Sequence, residues 1–179
     1  MSRRALIAMM VLVCCAMTSL AQWPVDSAKR SALANAKKTI KDELLLIDGI
    51  PVDSAKLSAT LNSLNEKDLF DVIIVAKGQT LNQTIYAQTN LVVVTTKNAA
   101  MNHYKRTLTA LSPDYRNYLD AHHNEDNDLQ YIVNNIPLKS NTDEQLDMLY
   151  KLGPEKIANV AFTEVKGKKT LIIDVRYDE

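Results

Sequence analysis

The side chains best suited to hold a metal gather in one run, His122, His123, Glu125, Asp126 and Asp128, with His103 upstream. Imidazole nitrogen and carboxylate oxygen are the donors zinc and calcium take. The spacing argues against a shared ion. Adjacent histidines on a helix point about 100° apart, so they meet one metal only if a loop ligand folds back. No His-Glu-x-x-His pair occurs, and no calcium loop of alternating oxygens around a glycine. The plainer reading is a solvated helix end running into an acidic loop, with no metal ligand and no cofactor expected.

Hydrolytic chemistry finds equally little support. There is no Gly-x-Ser-x-Gly elbow, and the only histidines are the three just named. Asp42 with Glu43 and Asp178 with Glu179 are neighbours in sequence, whereas carboxylate catalysis needs two separated groups facing one cleft. No catalytic residue is assigned, and the chain is expected not to be an enzyme. Two short acceptor patterns remain. Asp26-Ser27-Ala28 and Asp53-Ser54-Ala55 resemble O-glycosylation sites of some Gram-negative envelopes, although each Asp also suits a helix cap. Asn82-Gln83-Thr84 matches the N-glycosylation pattern.

The beginning of the chain reads as an export signal over residues 1–21. Arg3 and Arg4 form the positive end, Ala5 to Met17 the apolar stretch, and Ser19-Leu20-Ala21 the small-residue cleavage site before Gln22. That apolar stretch is shorter than the roughly 20 residues a spanning helix needs. Lipid attachment at Cys15 is the alternative, and Leu12-Val13-Cys14 lacks the small residues that such a signal places before its cysteine. Cleavage after Ala21 removes Cys14 and Cys15, the only cysteines, and with them any disulfide or thiolate site. The remainder carries 19 Lys and Arg (21 less Arg3 and Arg4) against 21 Asp and Glu, a formal charge of −2. Neither sign forms a block, so nucleic acid is not an expected partner, and no later segment is apolar enough to span a membrane. The expected location is the periplasm or the exterior of a Gram-negative cell.

The elements that follow repeat themselves. Leu45-Leu46-Ile47-Asp48-Gly49-Ile50-Pro51-Val52 corresponds to Tyr131-Ile132-Val133-Asn134-Asn135-Ile136-Pro137-Leu138, 86 positions later. Asp-Gly and Asn-Asn both tolerate left-handed backbone and so suit a tight turn. Leu64 to Val72 corresponds to Leu152 to Val160 at a shift of 88. Strands are expected over Val72 to Val75 and Val160 to Val165, and again over Leu91 to Thr96 and Thr170 to Val175. The last pair is shifted by 79, so the first copy holds about nine more residues before its final strand. Lys77-Gly78 and Lys166-Gly167 are turn material, and Gly167-Lys168-Lys169 reads as a hairpin connection. A helix follows each proline: Asp53 caps Leu57, Leu61 and Leu64, and Asn141 or Thr142 caps Leu146, Leu149 and Tyr150.

Between the copies, Met101, Tyr104, Leu108 and Leu111 fall on one helical face. Ser112-Pro113-Asp114 restarts a helix with Tyr115, Tyr118, Leu119 and His122 on its apolar side, and His123 to Asp128 reads as a polar loop. A further helix is expected over Asp26 to Lys41.

The first copy resembles the plug domain of TonB-dependent outer-membrane receptors, of the nutrient-uptake type, over about residues 44–97. Its aliphatic run into Asp48-Gly49-Ile50-Pro51, the step Leu64-Asn65-Glu66-Lys67-Asp68-Leu69, Ile85-Tyr86, and the closing Val92-Val93-Val94-Thr95-Thr96-Lys97 carry the likeness; residues 129–176 repeat it weakly. Ala87 and Leu91 stand where that family has glycine. The 82 residues after Lys97 are fewer than the roughly 200 that a 22-stranded barrel needs. What the resemblance implies is therefore a fold and an envelope location without transport.

Taken together, the expected fold class is α+β, two related β-α-β-β modules joined by a helical spacer. The expected division is signal peptide 1–21, N-terminal helix 22–43, first module 44–98, spacer 99–128 and second module 129–179. The expected function is a non-catalytic binding or adapter protein of the cell envelope that takes an envelope protein or peptide as partner. Small sheets leave edges that accept a strand, unless Lys97, Lys168 and Lys169 guard them. The alternatives are a small-molecule or glycan binder using a groove between the modules, and a self-associating structural protein. Trp23 as the lone tryptophan and 6% aromatics weigh against sugar stacking.

Overall fold

The computed structural model describes residues 30–36, 44–81, 85–86 and 89–176. The export signal, Trp23, Asp26-Ser27-Ala28, Asn82-Gln83-Thr84 and Ala87 lie outside the described residues. Of the expected first helix, residues 30–36 (α1) are described and are helical. The first module then runs β1 (Leu44–Ile47), β2 (Ile50–Pro51), α2 (Leu57–Ser63), β3 (Leu69–Val75), a small hairpin of β4 (Thr80–Leu81) and β5 (Ile85–Tyr86), and β6 (Leu91–Thr96). Two spacer helices follow, α3 (Lys97–Leu111) and α4 (Pro113–Ala121). The second module is β7 (Gln130–Val133), β8 (Ile136–Pro137), α5 (Asp143–Tyr150), β9 (Ile157–Val165) and β10 (Lys168–Val175). The chain is α+β, with two similar modules separated by helices.

The two modules have the same topology. Their sheets run β2-β1-β6-β3 and β8-β7-β10-β9. In each, the first strand pairs parallel with the last and antiparallel with its two-residue neighbour, and the last strand pairs antiparallel with the third. Register agrees residue for residue with the shifts of 86, 88 and 79. Val72 opposite Val94 becomes Val160 opposite Ile173, and Ile47 opposite Val94 becomes Val133 opposite Ile173. Even an irregularity recurs, between Leu69 and Asp71 and between Ile157 and Asn159, which bulges Phe70 and Ala158 out of their ladders.

The turn after the first strand explains part of this likeness. Asp48 and Gly49 have φ of 52° and 82°, and Asn134 and Asn135 have 47° and 67°. Two consecutive left-handed residues form the tight turn whose twist suits a hairpin. The turn side chain then reaches across to the last strand. Asp48 accepts from the Thr96 amide (2.7 Å) and the Thr96 hydroxyl (2.9 Å), and Asn134 accepts from the Val175 amide (2.7 Å). Thr96 in turn accepts from Ala99 N–H as the cap of α3 (3.1 Å).

Each sheet buries one face against its own helix and the helices that precede it in the chain. Leu33 and Ala36 of α1 and Leu57 and Leu61 of α2 pack with Leu45, Val72, Val92 and Val94. Tyr104 and Leu108 of α3, Tyr115 and Leu119 of α4 and Leu146 and Leu149 of α5 pack with Tyr131, Leu171 and Ile173. Phe70, displaced by its bulge, joins the second core and lies 4.7 Å from the Tyr150 ring.

Local expectations shift in four places. Asp53 caps a 3-10 turn over Ser54–Lys56 ahead of α2, which stops at Ser63; Leu64 is extended and still packs on the core. Leu111 sits in the last turn of α3, where the chain leaves for α4, and stays 42% exposed. The second hairpin turns on Lys166-Gly167 (φ 52° and 79°), so Lys168 and Lys169 already belong to β10. Lys97 opens α3 and so lies on no sheet edge, whereas Lys168 and Lys169 pair with β9 alone, beyond the end of β7.

Candidate functional site

The acidic run after α4 divides into exposed and buried parts. His122 and His123 are exposed, and the His122 ring stacks on Tyr118 at 4.0 Å. His103 lies against Tyr150 at 5.0 Å. Among the described residues no three His, Asp or Glu side chains converge as metal ligands would.

Asp126 goes the other way. It is only 5% exposed, and its carboxylate collects donors from three elements. Tyr104 of α3 and Tyr115 of α4 each donate to Oδ2 at 2.9 Å, Tyr131 of β7 donates to the same oxygen, and Lys105 Nζ lies 3.1 Å from Oδ1. The Tyr115 and Tyr131 hydroxyls also touch, at 2.9 Å, and Lys105 donates to the Asn124 carbonyl at 2.6 Å. Burial first, and the Asp126 charge second, push the Tyr104 and Tyr115 hydroxyls well above the ordinary value of 10. Tyr131 moves the same way, again chiefly through burial. A buried carboxylate ringed by four donors is a satisfied one. Its evident work is to lock the spacer helices onto the second sheet.

Beside this cluster lies a cavity of about 240 Å³ between α3 and α5. Met101, Leu146 and Leu149 form its apolar wall, and Lys97 and Asp143 stand at its polar side. Those two are paired at 2.7 Å. Among the described residues every buried side-chain nitrogen or oxygen has a hydrogen-bond partner. The cavity is formed by spacer and second module, not by a groove between the two modules.

A more informative feature is the face of the first sheet turned away from α1 and α2, which is only partly covered. Leu44, Leu46, Leu91, Val93, Val75 and Ile73 form two aliphatic rows on it across β1, β6 and β3, and the polar pair Asp71 and Thr95 follows them. Val75 and Leu91 are buried, whereas Leu44 is 42% and Ile73 37% exposed. The equivalent face of the second sheet carries Gln130, Ile132, Thr170, Ile172, Thr163 and Ala161. Four of six aliphatic positions have become polar or have shrunk to alanine. The same fold thus presents one face of mixed polarity and one aliphatic face. The difference lies in single positions, such as Leu91 against Thr170 and Val75 against Thr163, and is readable only once the register is known.

No protein-family model, no curated protein and no solved structure matches the chain.

Proposed function

We propose that this chain is an exported, non-catalytic adapter of the cell envelope, and that it docks a protein or peptide partner against the aliphatic face of its first sheet. The observation carrying this reading is the contrast between the two copies of one fold. Leu44 and Ile73 stand exposed on that face beside half-buried Leu46 and Val93, and burying an exposed Leu or Ile fully is worth about 1.5–3 kcal/mol each. A contiguous exposed apolar patch marks an interaction surface in most soluble proteins. The second copy shows that the fold itself does not require it. The envelope location rests on residues 1–21 and on the plug-like motifs of residues 44–97. The non-catalytic character rests on the missing nucleophile motif and on a buried polar cluster whose members are all engaged.

The test places a photo-crosslinking residue at Leu44, and in a second strain at its equivalent Gln130, in the exported protein. The expected result is one dominant envelope protein captured from position 44 and lost on adding Ile73→Lys. Capture of the same species from both positions, or of nothing from position 44 in folded and abundant protein, overturns the reading.

A further inference from the structure

The two sheets have four edges, and they are not alike. β2 and β8 are two residues long and each ends in a proline, Pro51 and Pro137, which has no N–H to offer a neighbouring strand. β3 has seven residues, with Asp71 just past its bulge and its bulged Phe70 turned into the second core. β9 has nine residues and no proline, and among the described residues it pairs only with β10. Such an edge is a template for another strand.

We infer that β9 pairs antiparallel with β9 of a second copy, about a two-fold axis at Ala161, joining the two second sheets into one of eight strands. The residues beyond the bulge read Asn159-Val160-Ala161-Phe162-Thr163, and that pattern is self-complementary when reversed. Asn159 falls opposite the second copy's Thr163, Val160 opposite its Phe162, and Ala161 opposite itself. Polar therefore meets polar and apolar meets apolar on each face, as an isologous interface demands. Val160 and Phe162 are half-buried on the core side, where Phe162 lies 5.3 Å from the Tyr118 ring, so the pairing extends an apolar surface that already exists. On the other face Asn159 and Thr163 are exposed and able to bond across the axis. The same operation on β3 would set Asp71 opposite Val75, an acid against an aliphatic, which is why the second copy of the module and not the first is chosen. This interface is independent of the adapter face, which lies on the other sheet.

The full chain with Cys14 and Cys15 changed to Ser serves as background, since no other cysteine is present. In the proposed register the two residues at 161 face each other with Cα atoms about 4.5–5.5 Å apart, within disulfide reach. The two residues at 163 are separated by about 13 Å or more along the strands. Ala161→Cys is expected to give a disulfide-linked dimer on mild oxidation, Thr163→Cys none, and the Asn159→Cys/Thr163→Cys double variant a dimer again. Sedimentation of the cysteine-free chain is expected to show twice the monomer mass. A monomeric mass up to about 100 µM, or Thr163→Cys linking as readily as Ala161→Cys, overturns the inference, whatever the fate of the adapter reading.

Discussion

A carboxylate removed from water keeps its charge only where donors replace the water, and Asp126 has four of them. Asp126→Ala leaves the buried Lys105 ammonium without its counter-charge, and breaking such a pair costs about 3–5 kcal/mol. Denaturant unfolding should show a loss of that size, against no more than about 3 kcal/mol for Tyr115→Phe, which removes one bond to a charged group. The tyrosines also make a pH prediction. Tyr104, Tyr115 and Tyr131 hold their protons more tightly in the folded chain than in the unfolded one. Their contribution is therefore fully present below pH 10 and is lost as pH rises above it, because there the unfolded chain releases protons that the folded chain retains. Stability should fall by about 1.4 kcal/mol per pH unit for each of the three. Tyrosinate absorbance should show these three of the seven tyrosines ionising only as the protein unfolds, and Tyr115→Phe should flatten the alkaline slope. Tyr104 and Tyr115 were legible as apolar-face residues at helical spacing. Asp126 was not, since it stands among five polar neighbours and only the docking of α3, α4 and β7 turns it inward.

Among the elements, the hairpin that opens each module shows how two different turns reach one geometry. Asp-Gly uses glycine for the second left-handed residue, and Asn-Asn uses the amide side chain's tolerance of the same region. The side chain of the first residue then ties the hairpin to the last strand. Asp48→Ala should cost about 1 kcal/mol by thermal unfolding, while Asp48→Asn, the residue used at the equivalent Asn134, should cost less. Equal losses for the two variants would mean that the carboxylate charge, and not the acceptor geometry, matters. The repeated order of strands, turns and helices was readable from the sequence because each element carries its own signal in a few consecutive residues. The bulge at Phe70 and Ala158 was not, because nothing local distinguishes a bulged residue from a paired one. It exists where the third strand must match both the last strand and the 3-10 turn before it.

Across the whole molecule, that bulge decides how the modules meet. Phe70 belongs by sequence to the first module and by burial to the core of the second, packed on Tyr150. Phe70→Ala should therefore cost about 3–5 kcal/mol and should also uncouple the modules, splitting one calorimetric transition into two. A single transition at unchanged temperature would show that the ring is not the link. The Lys97–Asp143 pair is 32% exposed on the lysine and 42% on the aspartate, and contributes far less.

The amino-acid sequence alone determined the class of the fold, the duplication, its register shifts and the Ser112 cap of α4, all of which are written in residues near one another along the chain. Tertiary structure alone decided which face each strand exposes, that Asp126 is buried while its neighbours are not, and that Phe70 crosses from one core to the other. The physical reason is the same in each case. A turn or a cap is a contact within a few residues, so residue type predicts it, whereas burial is a property of what arrives from elsewhere in the chain. The aliphatic face and the open edge of β9 are of that second kind, and they are where the search for partners begins.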